Sequence, residues 1–586
     1  MSGSPIPEKT ISTGDESLNL DSGSCVGVVG GGPAGSFFSY FLLAMAERIG
    51  IDVSVDIYEP RNFEQPGPAG CNMCGGIISE SMVQLLATEG IILPPTVVQR
   101  GIDSYVLHMD VGTVRIEPPG REKRIAAVHR GAGPRGLIER RWGSFDGYLL
   151  NLAVKKGANL VRQRVEDVLT TNGKPRVKTR SGESREYDLL VGAVGVNTGA
   201  LKFFEQLGVG YKPPGTAKTY ICEFLLGQET VEIYLGNAMH VFLLNLPRLE
   251  FAAIIPKGDY VTVCLLGQGI DSQLVDSFLK CPEVLRCFPP GWKPPQDFCH
   301  CSPAINVTGA PHPYADRMVF IGDSGVSRLY KDGIGGAYRT AKAAVKTAVF
   351  HGVSAEDFRR HYMPTCRALN LDNGIGKIIF MVTTLIQNVK IARKGVLRMT
   401  ADEQDGGTGK QRMSSVLWDT FTGSAPYREV FQRTLHPAFI GRLLYDMAAG
   451  SMSSAARRIR AKEDIVTLGD LGKIYKEGEI IVRQGDVGDC MYVIQTGKVE
   501  VIKEDGGIEV KLAELSDGDF FGEMALFEKD VRSATIRPLG EVRVLTVDRR
   551  MFLRKIHDDP SLAFRIMQKM SHRIRELNNE LMRLTT

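Results

Sequence analysis

The chain has no run of eighteen uncharged apolar residues. The nearest approach, residues 374–391 (GIGKIIFMVTTLIQNVKI), is broken by Lys377, Gln387, Asn388 and Lys390. A membrane-spanning helix is not expected there; a helix that packs on the core or makes peripheral contact with a membrane is. Net charge is nearly absent: 71 Lys and Arg against 67 Asp and Glu leave +4 over 586 residues. A nucleic-acid-binding face would carry a stronger basic excess, so no nucleic-acid partner is expected. The 11 cysteines are odd in number and scattered. That excludes an evenly paired secreted framework and points to a reducing, cytoplasmic setting. The first 22 residues contain no apolar core of a signal peptide and read as a flexible leader.

What is present divides into three regions. Residues 23–350 alternate short apolar runs with helical stretches and many glycines, an α/β pattern. Residues 351–465 read as a helical extension, interrupted by the polar loop ADEQDGGTGKQ (401–411). In residues 466–586, strand-like runs such as CMYVIQTGKVEVIKE and VRVLTVD alternate with Gly/Asp turns, as in a small antiparallel barrel, before a closing helix.

The first motif is CVGVV (25–29), then Gly30-Gly31-Gly32-Pro33-Ala34-Gly35, a helix-compatible run, and a second strand VSVDIYE ending at Glu59. This is the strand–turn–helix–strand–acid order of a dinucleotide site. Gly30 permits the tight turn, Gly32 lets backbone approach a pyrophosphate, and Gly35 lets helix and strand close up. Pro33 and Ala34 lie within this turn, and the N-terminus of the helix that follows offers N–H groups to phosphate. Glu59 is placed to accept from a ribose diol. Glycines alone do not choose between FAD and NAD.

Further along, residues 315–345 read ADRMVFIGDSGVSRLYKDGIGGAYRTAKAAV. This resembles the second flavin motif of glutathione-reductase-type flavoproteins. The resemblance implies that Asp323 contacts the ribityl chain and that Gly335 and Gly336 open a helix facing the flavin pyrimidine. The segment YDLLVGAVGVNT (187–198) resembles the same family's third turn, with Val194 where an acid is expected. Arg141, in RWGSFD (141–146), resembles the Arg…Phe-Asp element of flavin hydroxylases and reductases, with Arg140 as its rival. FAD is the expected cofactor.

After the second strand comes Cys71-Asn72-Met73-Cys74-Gly75-Gly76. On chemistry alone this is a redox pair, half of a metal site, or two small loop residues. One C-x-x-C is too little for zinc, so no metal is expected. Cys74-Gly75-Gly76 resembles the flavin-side segment of geranylgeranyl reductases, as does IPKG (255–258), though the tryptophan expected before it is absent. The resemblance covers residues 25–375. It implies reduction of C=C bonds in an isoprenoid or other lipophilic substrate. A thiol near the ring can supply the proton, and Cys74 is the candidate; with no second complete dinucleotide fingerprint, NAD(P)H bound transiently and ferredoxin are both open as electron donor. Two other readings stand beside it: a flavin-dependent monooxygenase, and a non-catalytic flavin redox sensor.

The C-terminal region carries GEIIVRQGDVGD (478–489) and LSDGDFFGEMALFEKDVRSATI (515–536). It resembles the cyclic-nucleotide-binding domains of kinase regulatory subunits and catabolite-activator regulators. The resemblance implies a cyclic AMP or cyclic GMP ligand. Gly522 and Ala525 would lie in the phosphate cassette and Glu523 on the ribose 2′-hydroxyl. Arg532 would pair with the cyclic phosphate, and Ser533 with phosphate or base. The final helix is read as a lid or a homodimer helix, with no DNA-reading element expected. The fold class is α/β: a doubly wound FAD-binding Rossmann-type domain with an antiparallel substrate sheet, a helical segment, and a β jelly-roll cyclic-nucleotide-binding domain.

Overall fold

The structure is a computed structural model that describes residues 18–71, 73–118, 122–135, 143–405, 411–449, 470–528, 531–558 and 561–585. Five parallel strands form the first sheet: β1 (Ser24–Val29), β2 (Val53–Tyr58), β3 (Asn159–Val161), β4 (Leu189–Gly192) and β5 (Met318–Phe320), in the order β5-β4-β1-β2-β3. The two-residue strand Tyr314–Ala315 adds antiparallel at the β5 edge. β1 and β4 have apolar residues on both faces, and Val26, Val28, Leu189 and Val191 are fully buried. A parallel sheet covered on both sides requires this. The covering helices include α1 (Pro33–Ile49) and a long helix at Gly333–Phe350, which pack against each other. The order reverses beside β1, and a ligand crevice is expected at such a switch point, beyond the strands' C-terminal ends.

A second sheet is built from Ser104–Met109, Gly112–Ile116, Gly215–Leu225, Ala238–Phe242, Leu249–Lys257, Tyr260–Gly267 and two short strands at Cys299–Cys301 and Ala304–Thr308. It is antiparallel except where Ala238–Phe242 runs parallel to Ser104–Met109. The helices of the 351–449 region belong to this module's core rather than forming a spacer. Phe380, Val396, Met399 and Tyr427 are buried in one cluster with Ile255 and Phe251 of the sheet.

The C-terminal module is a five-stranded sheet around two long strands, Cys490–Asp505 and Thr535–Asp548, with a core of Ile494, Val499, Phe521, Val542 and Val544. Its other face is not solvent. Met491, Val493, Leu545, Val547 and Phe552 join the same apolar cluster as the Rossmann helices, so the two modules share a hydrophobic contact. Of the expected leader, residues 18–22 are part of the fold. Leu20 is buried, and the Leu18 carbonyl accepts from the Val353 N–H at 2.6 Å. An apolar residue beside a strand found a groove that composition could not reveal. Residues 1–17 and 450–469, and with them most of the leader and the junction before the C-terminal module, lie outside the described residues.

Candidate functional site

At the end of β1 the chain turns at Gly30, φ +108°, a conformation other residues rarely adopt. Helix α1 starts at Pro33 with Gly32 as N-cap and no side-chain cap, so its first-turn N–H groups are not taken by a side chain. A side chain at Gly35 would run into the Gly30 carbonyl, and one at Gly31 would lie 2.7 Å from Glu59 Cβ. Glu59 is 2% exposed. Its Oε2 accepts the Gly31 N–H at 3.0 Å and its Oε1 the Arg61 N–H at 3.0 Å.

The second stretch comes to the same place. Gly322, φ +60°, lies so close to α1 that a Cβ there would stand 2.7 Å from Ala34 Cβ. Gly192 at the end of β4 completes the crevice: its carbonyl accepts the Ser324 hydroxyl at 2.8 Å. Asp323 follows. Burial pushes its carboxyl up, opposed by the Ser327 hydroxyl and the Arg130 guanidinium. Its backbone carbonyl accepts from Asn306 Nδ2 at 3.0 Å, while the buried Asn306 Oδ1 has no partner among the described residues. A turn without side chains, an uncapped helix end and an unmatched amide oxygen fit a dinucleotide laid across this crevice.

Gly335 and Gly336 lie in the first turn of helix Gly333–Phe350. The N-cap of their helix is Asp332, whose Oδ1 accepts the Gly335 N–H at 3.2 Å, while its carbonyl accepts the Gly336 N–H at 2.9 Å. Both N–H groups are engaged within the chain. What these glycines supply is closeness: a Cβ at Gly336 would lie 3.2 Å from Ser327 Cα. Arg141 lies outside the described residues. Asp146 of the same element is fully buried and ion-paired to Arg130, with Nη2–Oδ2 at 2.9 Å.

Arg130, paired to Asp146, lies close enough to Asp323 and to the Cys74 sulfur to interact electrostatically with both. The Gly76 N–H also points at the Cys74 sulfur, at 3.5 Å. The glycines after Cys74 leave no room for side chains: a Cβ at Gly75 would lie 2.9 Å from Cys264 Sγ, and one at Gly76 would run into the Val128 carbonyl oxygen. Lys257, 1% exposed, stands 3.5 Å from Glu223 Oε1, with His129 Nδ1 at 3.6 Å from the same oxygen. Burial alone would raise the Glu223 carboxyl, but Lys257 and His129 bring it below its ordinary range. Burial pushes the His129 imidazole down to about 4, leaving it neutral at pH 7. These groups line a small cavity of about 40 Å³ together with Cys71, His300 and Cys301. All eleven cysteines are free thiols, and burial pushes Cys71 up and Cys301 up to about 12. Arg130, Glu223 and His129 are additions to the residues the motifs name, and Lys257 gains a role there. Only Lys257, inside IPKG, left a trace in the sequence.

In the C-terminal module, Arg532 Nη1 donates to the Gly522 carbonyl and Nη2 to the Cys490 carbonyl, both at 2.8 Å, and the guanidinium lies over the Tyr492 ring. Gly522 has φ +80°, and a Cβ there would strike Arg532. Glu523 is buried, and burial raises its carboxyl despite an ion pair at 3.2 Å to Arg573 of the final helix, Ser561–Thr585. Ala525 is buried and Ser533 exposed. Lys569 on the same helix donates to the Gly518 carbonyl at 2.9 Å, so that helix lies across the cassette where a lid would.

One other buried cluster has metal-ligand types: His108, His240 and Cys287. The two imidazoles are 18° from coplanar, with nitrogens 2.8 Å and centroids 5.1 Å apart. With about 1.1 Å from centroid to nitrogen in each ring, those values put both nitrogens on the line of centres, as in an N–H···N hydrogen bond. A tetrahedral cation would need the two lone pairs to converge rather than oppose.

The family model for the cyclic nucleotide-binding domain matches residues 473–559. Over 81 residues the chain is 40% identical to a cAMP-dependent protein kinase regulatory subunit of Schizosaccharomyces pombe, covering 14% of this chain and 19% of that one. Over 110 residues it is 34% identical to a cyclic AMP receptor protein of Thermus thermophilus, covering 19% of this chain and 51% of the other. The chain thus spans only a fifth to a half of these relatives. Among solved structures, a flavoprotein/dehydrogenase from Cytophaga hutchinsonii aligns with TM-score 0.48 at 15% identity, over 73% of this chain and 99% of that one. The halogenase PltM in complex with phloroglucinol and FAD aligns with TM-score 0.49 at 12% identity, over 73% and 96%. Residues 473–559 are therefore a cyclic nucleotide-binding domain, carried on a doubly wound α/β module.

Proposed function

We propose that the chain is an FAD-dependent oxidoreductase that reduces C=C bonds of an isoprenoid or other lipophilic substrate, under control of cyclic AMP bound at its C-terminal domain. The observation that carries the reading is the meeting of the Gly30–Gly35 turn with Gly322-Asp323 at the switch point, with Arg130 interacting with both Asp323 and Cys74. The uncapped start of α1 would take the pyrophosphate, Glu59 the adenosine ribose and Asp323 the ribityl chain. When bound and reduced, FAD supplies hydride to one alkene carbon. The chain's part is the proton for the other carbon. Cys74 carries it on Sγ, and the thiolate left behind is held by Arg130 and the Gly76 N–H. Asp146 fixes Arg130 from behind.

Control is supported by a short series of contacts. Arg532 bonds the Cys490 carbonyl, and Cys490 is the strand partner of Asp548. The Asp548 carboxylate accepts from Arg124 at 3.0 Å and from Gln84 at 3.2 Å, both in the α/β module. Arg124 also pairs with Glu80, the first residue of helix Glu80–Thr88. That helix is capped by Ser79, which donates to Asp332 at 2.6 Å, and the Cys74 loop enters it through strand Ile77–Ile78. A ligand that engages Arg532 differently in two arrangements would bias this series.

The test is anaerobic. Reduced holoenzyme mixed with an isoprenoid alkene should reoxidise and yield the saturated product, at a rate changed by cyclic AMP. Reoxidation that occurs only with oxygen, leaving an oxygen atom in the product, would assign a hydroxylase. Bound flavin with no turnover in either condition would assign a sensor.

A further inference from the structure

Helix Met363–Asn388 is long and apolar enough, with the turns before it, to cross a membrane by length and composition. Its inner face forbids this. Asp372, Asn373 and Gln387 are buried there and bonded to the protein: Asp372 accepts the Tyr427 and Arg428 N–H groups at 3.1 and 3.0 Å, Asn373 the Leu329 N–H at 2.9 Å, and Gln387 donates to the Glu250 carbonyl at 2.7 Å. Gly376 lets the helix press on the Tyr427 ring. One side of the helix is committed to the core.

The other side is bare. Leu371 is 70% exposed, Met381 59% and Leu385 59%, with Ile378 and Val382 also exposed. At 3.6 residues per turn these five fall within an arc of about 100°. Lys377 stands at its edge and Lys390 just beyond its end, both exposed, and no exposed acid lies between 363 and 391. At the Leu371 end opens a cavity of about 520 Å³ whose walls include Lys346, Arg428, His351 and His361. Lys346 and Arg428 have no ion pair among the described residues, and the two histidine rings stack 3.6 Å apart.

We propose that this face docks on an anionic lipid surface, with Ile378, Met381, Val382 and Leu385 entering the acyl boundary and Lys346, Lys377 and Arg428 meeting phosphate headgroups. An apolar arc bordered by unpaired cations, with acids excluded, is the pattern of a helix lying in the interface plane. A second copy of the chain would bury the arc but leave the cations facing each other.

The experiment is co-sedimentation of the full chain with vesicles of phosphatidylcholine alone or mixed with phosphatidylglycerol. Binding to the mixed vesicles should be stronger by about tenfold or more, since each cation near the surface adds about 1 kcal/mol. Met381→Asp with Leu385→Asp should abolish it, and Lys346→Glu with Arg428→Glu should erase the preference for the anionic lipid. All four side chains lie on the surface or line the open cavity, so flavin content and cyclic AMP binding should be unchanged in both variants. No binding to either vesicle, or equal binding by the Asp variant, overturns the proposal. So does a dimer that the Asp variant converts to monomer without any vesicle binding.

Discussion

At the scale of single residues, function here depends on groups whose partners are fixed by burial. Cys74→Ala should leave the flavin spectrum intact and lower alkene reduction by roughly 10²- to 10⁴-fold, the usual yield of a positioned proton donor. Single-turnover reoxidation of reduced enzyme measures it. Arg532→Ala removes a charge held by two carbonyls and available to a phosphate. With about 1.5–3 kcal/mol for hydrogen bonds to a charged group, cyclic AMP affinity should fall by roughly 10- to 150-fold, read by isothermal titration. The histidines predict a pH dependence. His129 and His240 are both held at about 4 by burial, whereas an unfolded histidine titrates near 6.5. Between those values the unfolded chain binds more protons. Stability should therefore rise with pH through this window and be lost as pH falls from 6.5 toward 4. Urea midpoints across that range should show the slope, and His129→Gln should flatten it.

At the scale of elements, what was legible in the sequence was what a few contiguous residues decide. The turn at 30–35 needs glycine because backbone and carbonyl crowd it, and that need is written in six consecutive letters. The same holds for the cassette at 521–526. What was not legible depends on pairing across distance. Arg130 finds Asp146 only because strand Ile125–Val128 ends beside helix Phe145–Lys155, and Glu223 meets Lys257 across the intervening strand Tyr260–Gly267 of the second sheet. The capping of Gly335 by Asp332 was visible as an Asp three positions upstream. Helix Met363–Asn388 offers a test of packing. Gly376→Leu would force a side chain where a Cβ already stands 2.7 Å from the Tyr427 ring. It should cost about 1–3 kcal/mol, seen as a lower thermal midpoint.

At the scale of the whole molecule, the two modules are joined by more than a linker. Besides Arg124–Asp548, Lys555 of the C-terminal module lies 2.8 Å from the buried Glu89 carboxylate, which Lys342 also pairs. Burial would raise that carboxyl, and the two lysines hold it well below its ordinary range. Such contacts fix orientation, and removing one partner leaves a buried charge uncompensated. In Asp548→Asn, cyclic AMP should still bind, while its effect on turnover, expected at roughly 5- to 150-fold for a coupling of 1–3 kcal/mol, should shrink toward none. Turnover with and without saturating cyclic AMP in both proteins measures it.

All of this presupposes one flavin held where residues 30–35 and 322–323 meet. Titrating the flavin-free full chain with FAD, followed by quenching of flavin fluorescence, addresses that directly. We expect saturation at one FAD per chain, lost in Gly35→Val and weakened in Asp323→Ala, with cyclic AMP binding retained in both. An unquenched flavin throughout, or equal binding by the Gly35 variant, would contradict the account.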